Sequence, residues 1–221
     1  MTKTKRSILF ATSRMHSELV YNMTKLEGNP YTYPEVKTLL DGITVGGRKL
    51  SDQEQVLRVS RAWEELRRQV AENQFTVTKA NFIHFNKIVA EGEALEVGAF
   101  RNGQVYIAGV SYVPPQAVEL EQIFANMLNE FQQSNEELYT RAFRLFLHCA
   151  RYQFFFDGNK RTAQLMMNGF LMSNELPPVS IPARSKRSYD SRMTKFYETG
   201  NMQPMLEFLH KLTENNRYSI E

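Results

Sequence analysis

The stretch that decides the reading of this chain is Gln153–Gln164, QFFFDGNKRTAQ. An apolar run, Phe154-Phe155-Phe156, meets Asp157-Gly158-Asn159, and a helical pattern resumes from Arg161 onward. Asp, Gly and Asn are turn residues, Gly because it tolerates positive φ and the other two because their side chains bond nearby backbone. A helix starting directly after such a turn points its first backbone N–H groups outward, here those of Gly158, Asn159 and Lys160, and its dipole favours an anion there. Lys160 and Arg161 add two cationic donors. Asp157 supplies the kind of carboxylate that holds Mg²⁺ beside phosphate oxygens. Together they describe a phosphate–Mg²⁺ site at a helix start. The same residues also read as a capped interhelical turn with solvated charges.

Working outward, the helical period dominates. Downstream, Arg161 to Asn174 reads as an apolar helix with Leu165, Met166, Met167, Phe170, Leu171 and Met172, broken by Pro177-Pro178. Its methionines read as core filling. Two amphipathic helices follow near Tyr189–Glu198 and Met202–Thr213. Upstream, a helix from about Glu136 to Tyr152 carries Phe143, Leu145, Phe146 and Leu147, and another after Pro114-Pro115 carries Val118, Ile123, Met127, Leu128 and Phe131.

In the first half, Met15, Leu19, Met23 and Leu26 share one face of a helix over 12–27, stopped by Gly28-Asn29-Pro30. Thr32 to Glu35 forms a capping box for a short helix ending at Gly42, and Ser51 to Glu54 forms a second for a long helix with Val56, Val59, Trp63, Leu66 and Val70. Thr78 opens a helix with Phe82, Phe85, Ile88 and Val89, ending near Gly92. Only Gly98 to Val113 has a different texture: Asn102-Gly103 is a hairpin turn signal, and Val105-Tyr106-Ile107 is β-prone. The expected fold is all-α with one short β-hairpin, since nothing alternates strand and helix as a parallel sheet requires.

The chain has 221 residues, the size of one large domain. Hydrophobic residues at 42% and charged residues at 23% fit a globular protein and not a disordered one. Lys plus Arg is 27 and Asp plus Glu is 24, so the net charge of 27 − 24 = +3 does not by itself point to nucleic acid. The single cysteine, Cys149, excludes an internal disulfide and fits a reducing compartment. No apolar run of about 18 residues is present, so no membrane span is expected, and the apolar stretch near the N-terminus is too short for a signal peptide. A cytoplasmic protein is the expectation.

The stretch 153–164 resembles the Fic (filamentation induced by cyclic AMP) motif, His-x-Phe-x-(Asp/Glu)-Gly-Asn-(Gly/Lys)-Arg-x-x-Arg. Phe155, Asp157, Gly158, Asn159, Lys160 and Arg161 match in register. Glu27-Gly28, in the segment 12–29, is similar to the end of the family's inhibitory motif, (Ser/Thr)-x-x-x-Glu-(Gly/Asn). The segment 98–115 resembles the family's flap, with Arg101 at its opening and Pro114-Pro115 closing it. The helix with His84 also has the family's look, so the likeness runs from about Thr12 to Leu209. It implies a single Fic-type domain over 1–221, a helical bundle with a β-hairpin flap over the motif loop. It further implies transfer of AMP from ATP to a hydroxyl of a target protein. By the resemblance Asp157 holds Mg²⁺, and Gly158, Asn159, Lys160, Arg161 and Gln164 face the nucleotide. Arg101, Val105, Tyr106 and Ile107 align the target, and Glu27 regulates. A homodimer is the family's frequent assembly; the partner is an unspecified protein rather than nucleic acid or membrane.

Four positions depart from the family pattern. Gln153 stands where the family has its catalytic His, and an amide cannot act as a general base. Loss of such a base typically costs roughly 10²- to 10⁴-fold. Gln164 stands where the last Arg grips the γ-phosphate and pairs with the inhibitory Glu, so Glu27 is expected to face an amide, with Arg161 or Lys160 as its nearest cation. Met23 replaces the inhibitory Ser/Thr. Lys160 replaces the commoner Gly and is found in the Doc branch, which phosphorylates its target by binding ATP in reverse. The expected protein is therefore a weakly active or inactive adenylyltransferase scaffold. The alternatives are an active nucleotidyl- or phosphotransferase with altered chemistry, and a non-catalytic module that binds protein through the flap. His148 lies five residues before Gln153, roughly 140° away on the helical wheel, and is expected to point elsewhere. His84 is the weak candidate for a substitute base, by the family's placement of that residue under the site. His16 and His210 are expected to be solvated and Cys149 inert. Arg184-Lys186-Arg187 reads as a solvated loop.

Overall fold

The computed structural model describes residues 1–214. Ten α-helices follow one another among these residues: α1 (Lys3–Arg14), α2 (His16–Leu26), α3 (Tyr33–Leu40), α4 (Leu50–Ala71), α5 (Lys79–Ala90), α6 (Leu120–Gln133), α7 (Leu138–Tyr152), α8 (Asn159–Ser173), α9 (Lys186–Thr199) and α10 (Gln203–Glu214). Short 3₁₀ turns precede α6 and α9. The all-α class expected from the periodicity holds.

Helix α8 is the centre. Thirteen of its fifteen residues are buried, so it is enclosed on every side, chiefly by α7, α5 and α4. Gly169 makes this possible on one side: a Cβ there would lie 2.3 Å from the Phe75 ring. At the other end of the core, Phe82 of α5 gathers Phe155 at 4.8 Å, Phe124 at 5.4 Å and Phe154 at 5.5 Å between ring centroids. This aromatic cluster anchors the start of the motif loop, Phe154 and Phe155, to α5 and α6, at about 0.5–1.5 kcal/mol per ring pair beyond area burial.

Several local expectations hold. Thr32 and Glu35 form their capping box at α3, and Thr78 accepts from the Asn81 N–H at the start of α5. Others are corrected. The single helix over 12–27 is two, broken at Met15, whose φ of −98° and ψ of 14° leave the helical region. The break lets His16 reach α4, where its ring bonds Ser60 and Arg67. His16 is therefore not a solvated residue. The second capping box is absent: Lys49 precedes α4 without a side-chain cap, and Ser51 already lies inside the helix.

The larger correction concerns the flap. Segment 98–115 contains no strand, and none occurs among the described residues. A two-residue Asn-Gly hairpin of the favoured type needs positive φ at both positions. Neither Asn102 nor Gly103 has it. The Asn102 amide bonds the Glu96 carboxylate instead, and Arg101 takes the carbonyls that a ladder would use. The segment is an extended loop held by side chains.

Candidate active site

Helix α7 ends at Gln153, which adopts the left-handed conformation with φ 50° and ψ 62°. The chain turns through Phe154–Asp157 and enters α8 at Gly158, also left-handed with φ 76°. Only glycine suits this corner, because a Cβ would lie 3.0 Å from Asn86 Nδ2, 3.1 Å from Ala90 Cβ and 3.2 Å from Val89 Cγ2. The first helical bond runs from the Thr162 N–H to the Gly158 carbonyl at 2.9 Å. The N–H groups of Asn159, Lys160 and Arg161 therefore open the helix, as an anion at that place requires. The Gly158 N–H donates to Asp157 Oδ1 at 2.5 Å.

Asp157 stands at the mouth, its side chain 53% exposed. Its Oδ1 also faces Arg161 Nη2 at 3.3 Å, while Oδ2 has no partner among the described residues. The carboxylate is thus oriented on one side and open on the other, which suits a cation with several water or phosphate ligands. Asn159 is turned inward: its Oδ1 accepts from the Phe155 N–H at 2.9 Å, and its Nδ2 donates to the Phe155 carbonyl at 2.8 Å. The same Nδ2 donates to Gln153 Oε1 at 3.1 Å. Gln153 Nε2 donates in turn to the Ala150 carbonyl at 2.5 Å. Both ends of the Gln153 amide are thereby engaged, and neither is a base.

Arg161 is not at the mouth. It is 2% exposed and lies behind the loop, where Nη1 donates to the Val89 carbonyl at 2.9 Å and Nη2 to Glu93 Oε2 at 2.6 Å. Burial lowers its pKa, but the charges of Glu27, Glu93 and Asp157 raise it further, so it is held as a cation. Lys160 is the cation that faces outward. Its Nζ pairs with Glu27 Oε2 at 3.0 Å, so α2 and α8 meet as the sequence leads one to expect. Glu27 does not bond Gln164: Glu27 Oε1 and Gln164 Nε2 are both buried without a hydrogen-bond partner. The Tyr189 hydroxyl, another buried group near Glu27, is likewise unpartnered, and burial pushes its pKa up. These orphaned polar atoms fit a polar ligand beside α8 better than a sealed apolar core.

Arg101 ties the flap to the loop. It is 2% exposed, with Nε on the Gln153 carbonyl at 2.6 Å, Nη1 on Gly103 at 2.7 Å and Nη2 on Pro115 at 2.5 Å. Its own N–H reaches the Phe154 carbonyl at 2.9 Å. Of the other flap residues, Ile107 packs against the core, Val105 is half-buried and Tyr106 is 77% exposed. The far end is pinned to α9, where Ser111 N–H and Oγ both donate to Glu198 at 2.5 Å.

The remaining candidates disperse. His84 lies on the surface against Glu65 at 3.1 Å, away from the loop, because it occupies the outer face of α5. His148 stacks on Tyr152 at 5.6 Å, and the Gln153 amide bonds Ala150 and Asn159 instead of it. His210 bonds Thr140 Oγ1 at 3.0 Å and is not merely solvated. Cys149 is buried, which pushes its thiol up and keeps it inert. Lys186 donates to the Leu26 carbonyl at 2.8 Å and to Asp190 at 2.7 Å, so it joins α9 to α2.

Three residues were missed. Asn86 donates to the Asp157 carbonyl at 2.9 Å, Glu93 holds Arg161, and Arg58 pairs with Glu93. Arg58 lies within the Val56–Val59 apolar stripe and Asn86 between Phe85 and Val89, so a polar group on an apolar face was the available signal. Glu93, in a loop of acidic residues, carried none.

Residues 74–171 match the model of the Fic/DOC family. Relatives described as protein adenylyltransferase Fic, from Drosophila mojavensis and Drosophila willistoni, are 26% identical over 199 and 200 residues, 88% of this chain and 39% of theirs. The chain thus spans about two fifths of the length of these curated relatives. Fic-1 (residues 134–508) from C. elegans superimposes with a TM-score of 0.81 at 21% identity, over 98% of this chain and 71% of that one. A Fic-domain-containing signaling protein from Bacteroides thetaiotaomicron does so with 0.75 at 20%, over 95% and 86%. At these identities the structures speak for the fold.

Proposed function

The chain carries a domain of the Fic/DOC family, and on that premise we propose that it is an adenylyltransferase scaffold whose catalytic position has lost its base. The observation that carries this reading is Gln153. It sits on the left-handed end of α7 directly before the helix-start anion site, with its amide consumed by Ala150 and Asn159. It cannot take a proton from an incoming hydroxyl, and turning to orient one would break both bonds.

The residues around it support a donor site. Asp157 Oδ2 and the α8 N–H groups would hold Mg²⁺ and the phosphates of ATP, and Lys160 would add a point charge. The cation would supply neutralisation of the phosphate oxygens during transfer. Glu27 now holds Lys160, so its carboxylate competes with an anion for that charge. The flap, clamped by Arg101, positions a target segment. Orientation and charge alone leave a slow reaction, because nucleotidyl transfer depends heavily on both. A cytoplasmic setting and a homodimer belong to the same proposal.

The test is transfer from labelled ATP with Mg²⁺ in a cell lysate, read by mass spectrometry of the modified protein. Gln153→His combined with Glu27→Gly should add AMP to a protein, and Asp157→Ala in that background should abolish it. An added mass other than AMP would move the reading to altered chemistry. No label in any variant would overturn the donor site itself.

A further inference from the structure

The charges buried behind the motif loop form one connected chain. Glu93 lies in the turn after α5. Its Oε1 accepts from Arg58 Nη2 and, at 3.2 Å, from Gln55 Nε2; its Oε2 accepts from Arg161 Nη2 at 2.6 Å. That same Arg161 nitrogen faces Asp157 Oδ1 at 3.3 Å. On the other side, Gln55 Oε1 accepts from Asn29 Nδ2 at 3.0 Å. Asn29 lies two residues beyond Glu27, and its Oδ1 caps the Tyr31 N–H at 3.0 Å. A continuous line of hydrogen bonds therefore runs from the turn bearing Glu27, across α4, to the loop carboxylate.

We propose that Glu93 is a positioning residue that draws Arg161 back into the core, leaving Asp157 open to a cation and fixing the Glu27 turn through Gln55. The part concerning the cation rests on the reading of Asp157 given above. Arg58 and Arg161 are 4% and 2% exposed, and a guanidinium so placed carries a desolvation cost that a carboxylate offsets. Glu93 serves both, itself only 18% exposed. Burial pushes its carboxyl up, and the two guanidinium groups outweigh that and hold it ionised. Without Glu93, the carboxylate left within bonding distance of Arg161 is Asp157. Arg161 would then close on it and neutralise the carboxylate that a cation needs. The neighbouring pair of Lys160 and Glu27 shares no hydrogen bond with this chain among the described residues, and Lys160 rather than Arg161 faces the mouth.

Two measurements test this. In amide exchange on the ligand-free chain, Glu93→Gln should speed the Gly158 and Phe155 amides about tenfold or more, with amides in the middle of α7 unchanged. Glu93→Asp should retain most of the protection. Gln55→Met, which leaves the ion pairs intact, should loosen only the Asn29 and Tyr31 amides, and with Glu93→Asp it decides the matter should Glu93→Gln not fold. Unchanged loop protection, or equal acceleration of loop and α7 core, would overturn the proposal. In Mn²⁺ binding with ATP, followed by paramagnetic resonance, Glu93→Gln should weaken affinity about tenfold or more. Removing the freed charge as well, in Glu93→Gln/Arg161→Gln, should restore much of it; equal affinity in wild type and Glu93→Gln would overturn the cation part. Should wild type and Asp157→Asn take up Mn²⁺ alike, Asp157 is not the cation ligand, and the exchange data still decide whether Glu93 positions the loop.

Discussion

Replacing Arg101 by Met should open the flap while leaving the bundle closed. Arg101 donates three hydrogen bonds from one buried guanidinium to the carbonyls of Gln153, Gly103 and Pro115. A bond from a charged donor contributes about 1.5–3 kcal/mol, so the three give roughly 4.5–9 kcal/mol gross. Against this stands the cost of burying a guanidinium whose partners here are all neutral carbonyls, several kcal/mol by itself. Burial does depress its pKa. The balance leaves about 2–4 kcal/mol for the clamp, and Met keeps the apolar stem so that packing changes little. Each 1.4 kcal/mol is a factor of ten, so opening of the flap should become roughly 30- to 700-fold more frequent. The reporters are the amide of residue 101, which bonds the Phe154 carbonyl at 2.9 Å, and that of Val110, which bonds the Ile107 carbonyl at 3.3 Å. Amide exchange by NMR should show both accelerated, with Leu165 and Met167 in α8 unaffected. Unchanged protection at residue 101 would refute the clamp. Equal acceleration in α8 would refute its local character.

Gly158→Ala places a Cβ in the left-handed region, about 1–2 kcal/mol, and against Asn86, Ala90 and Val89, about 1–3 kcal/mol more. A urea titration should show a loss of about 2–5 kcal/mol; a loss under about 1 kcal/mol would mean that the corner relaxes freely. His16 should make the fold sensitive to mild acid. Burial first, and then Arg67 donating to Nδ1, hold its pKa down from 6.5 to about 4. Glu64 Oε1, 3.4 Å from Nε2, acts the other way but is 57% exposed and too well solvated to prevail. Between these two values the unfolded chain binds the proton and the folded chain does not. The contribution is therefore full above pH 6.5 and is lost as pH falls towards 4, by roughly 3 kcal/mol in all. Urea midpoints at several pH values should show that slope in the wild type and a flatter one in His16→Gln.

The parts of this fold that could be read in the sequence are those whose causes lie within one turn or one helix. Thr32 with Glu35, Thr78, and the stop at Gly28 are local, and each works as its spacing suggests. The motif loop was legible because its residues are contiguous. The flap was not, because the Asn102-Gly103 signal is local while Arg101 bonds to Gln153, fifty-two residues on. That long-range bond holds Arg101 where it also takes the Gly103 and Pro115 carbonyls. Arg161 was misplaced for the same reason: adjacency to Lys160 says nothing of Glu93, brought to it from the far side of α5. The pairing of Glu27 with Lys160 was foreseen, with Arg161 as the other choice, and the burial of Arg161 decides between them.

Whether the missing base at Gln153 is what limits transfer is tested by one rate ratio. Position 153 has the left-handed backbone that histidine tolerates better than most residues, so Gln153→His should fold as the wild type does. In a Glu27→Gly background, AMP transfer from ATP should be compared with and without Gln153→His under single-turnover conditions. The account predicts that histidine raises the rate by about 10² or more. Equal rates with the two residues would contradict it, and would place the chemistry elsewhere than at position 153.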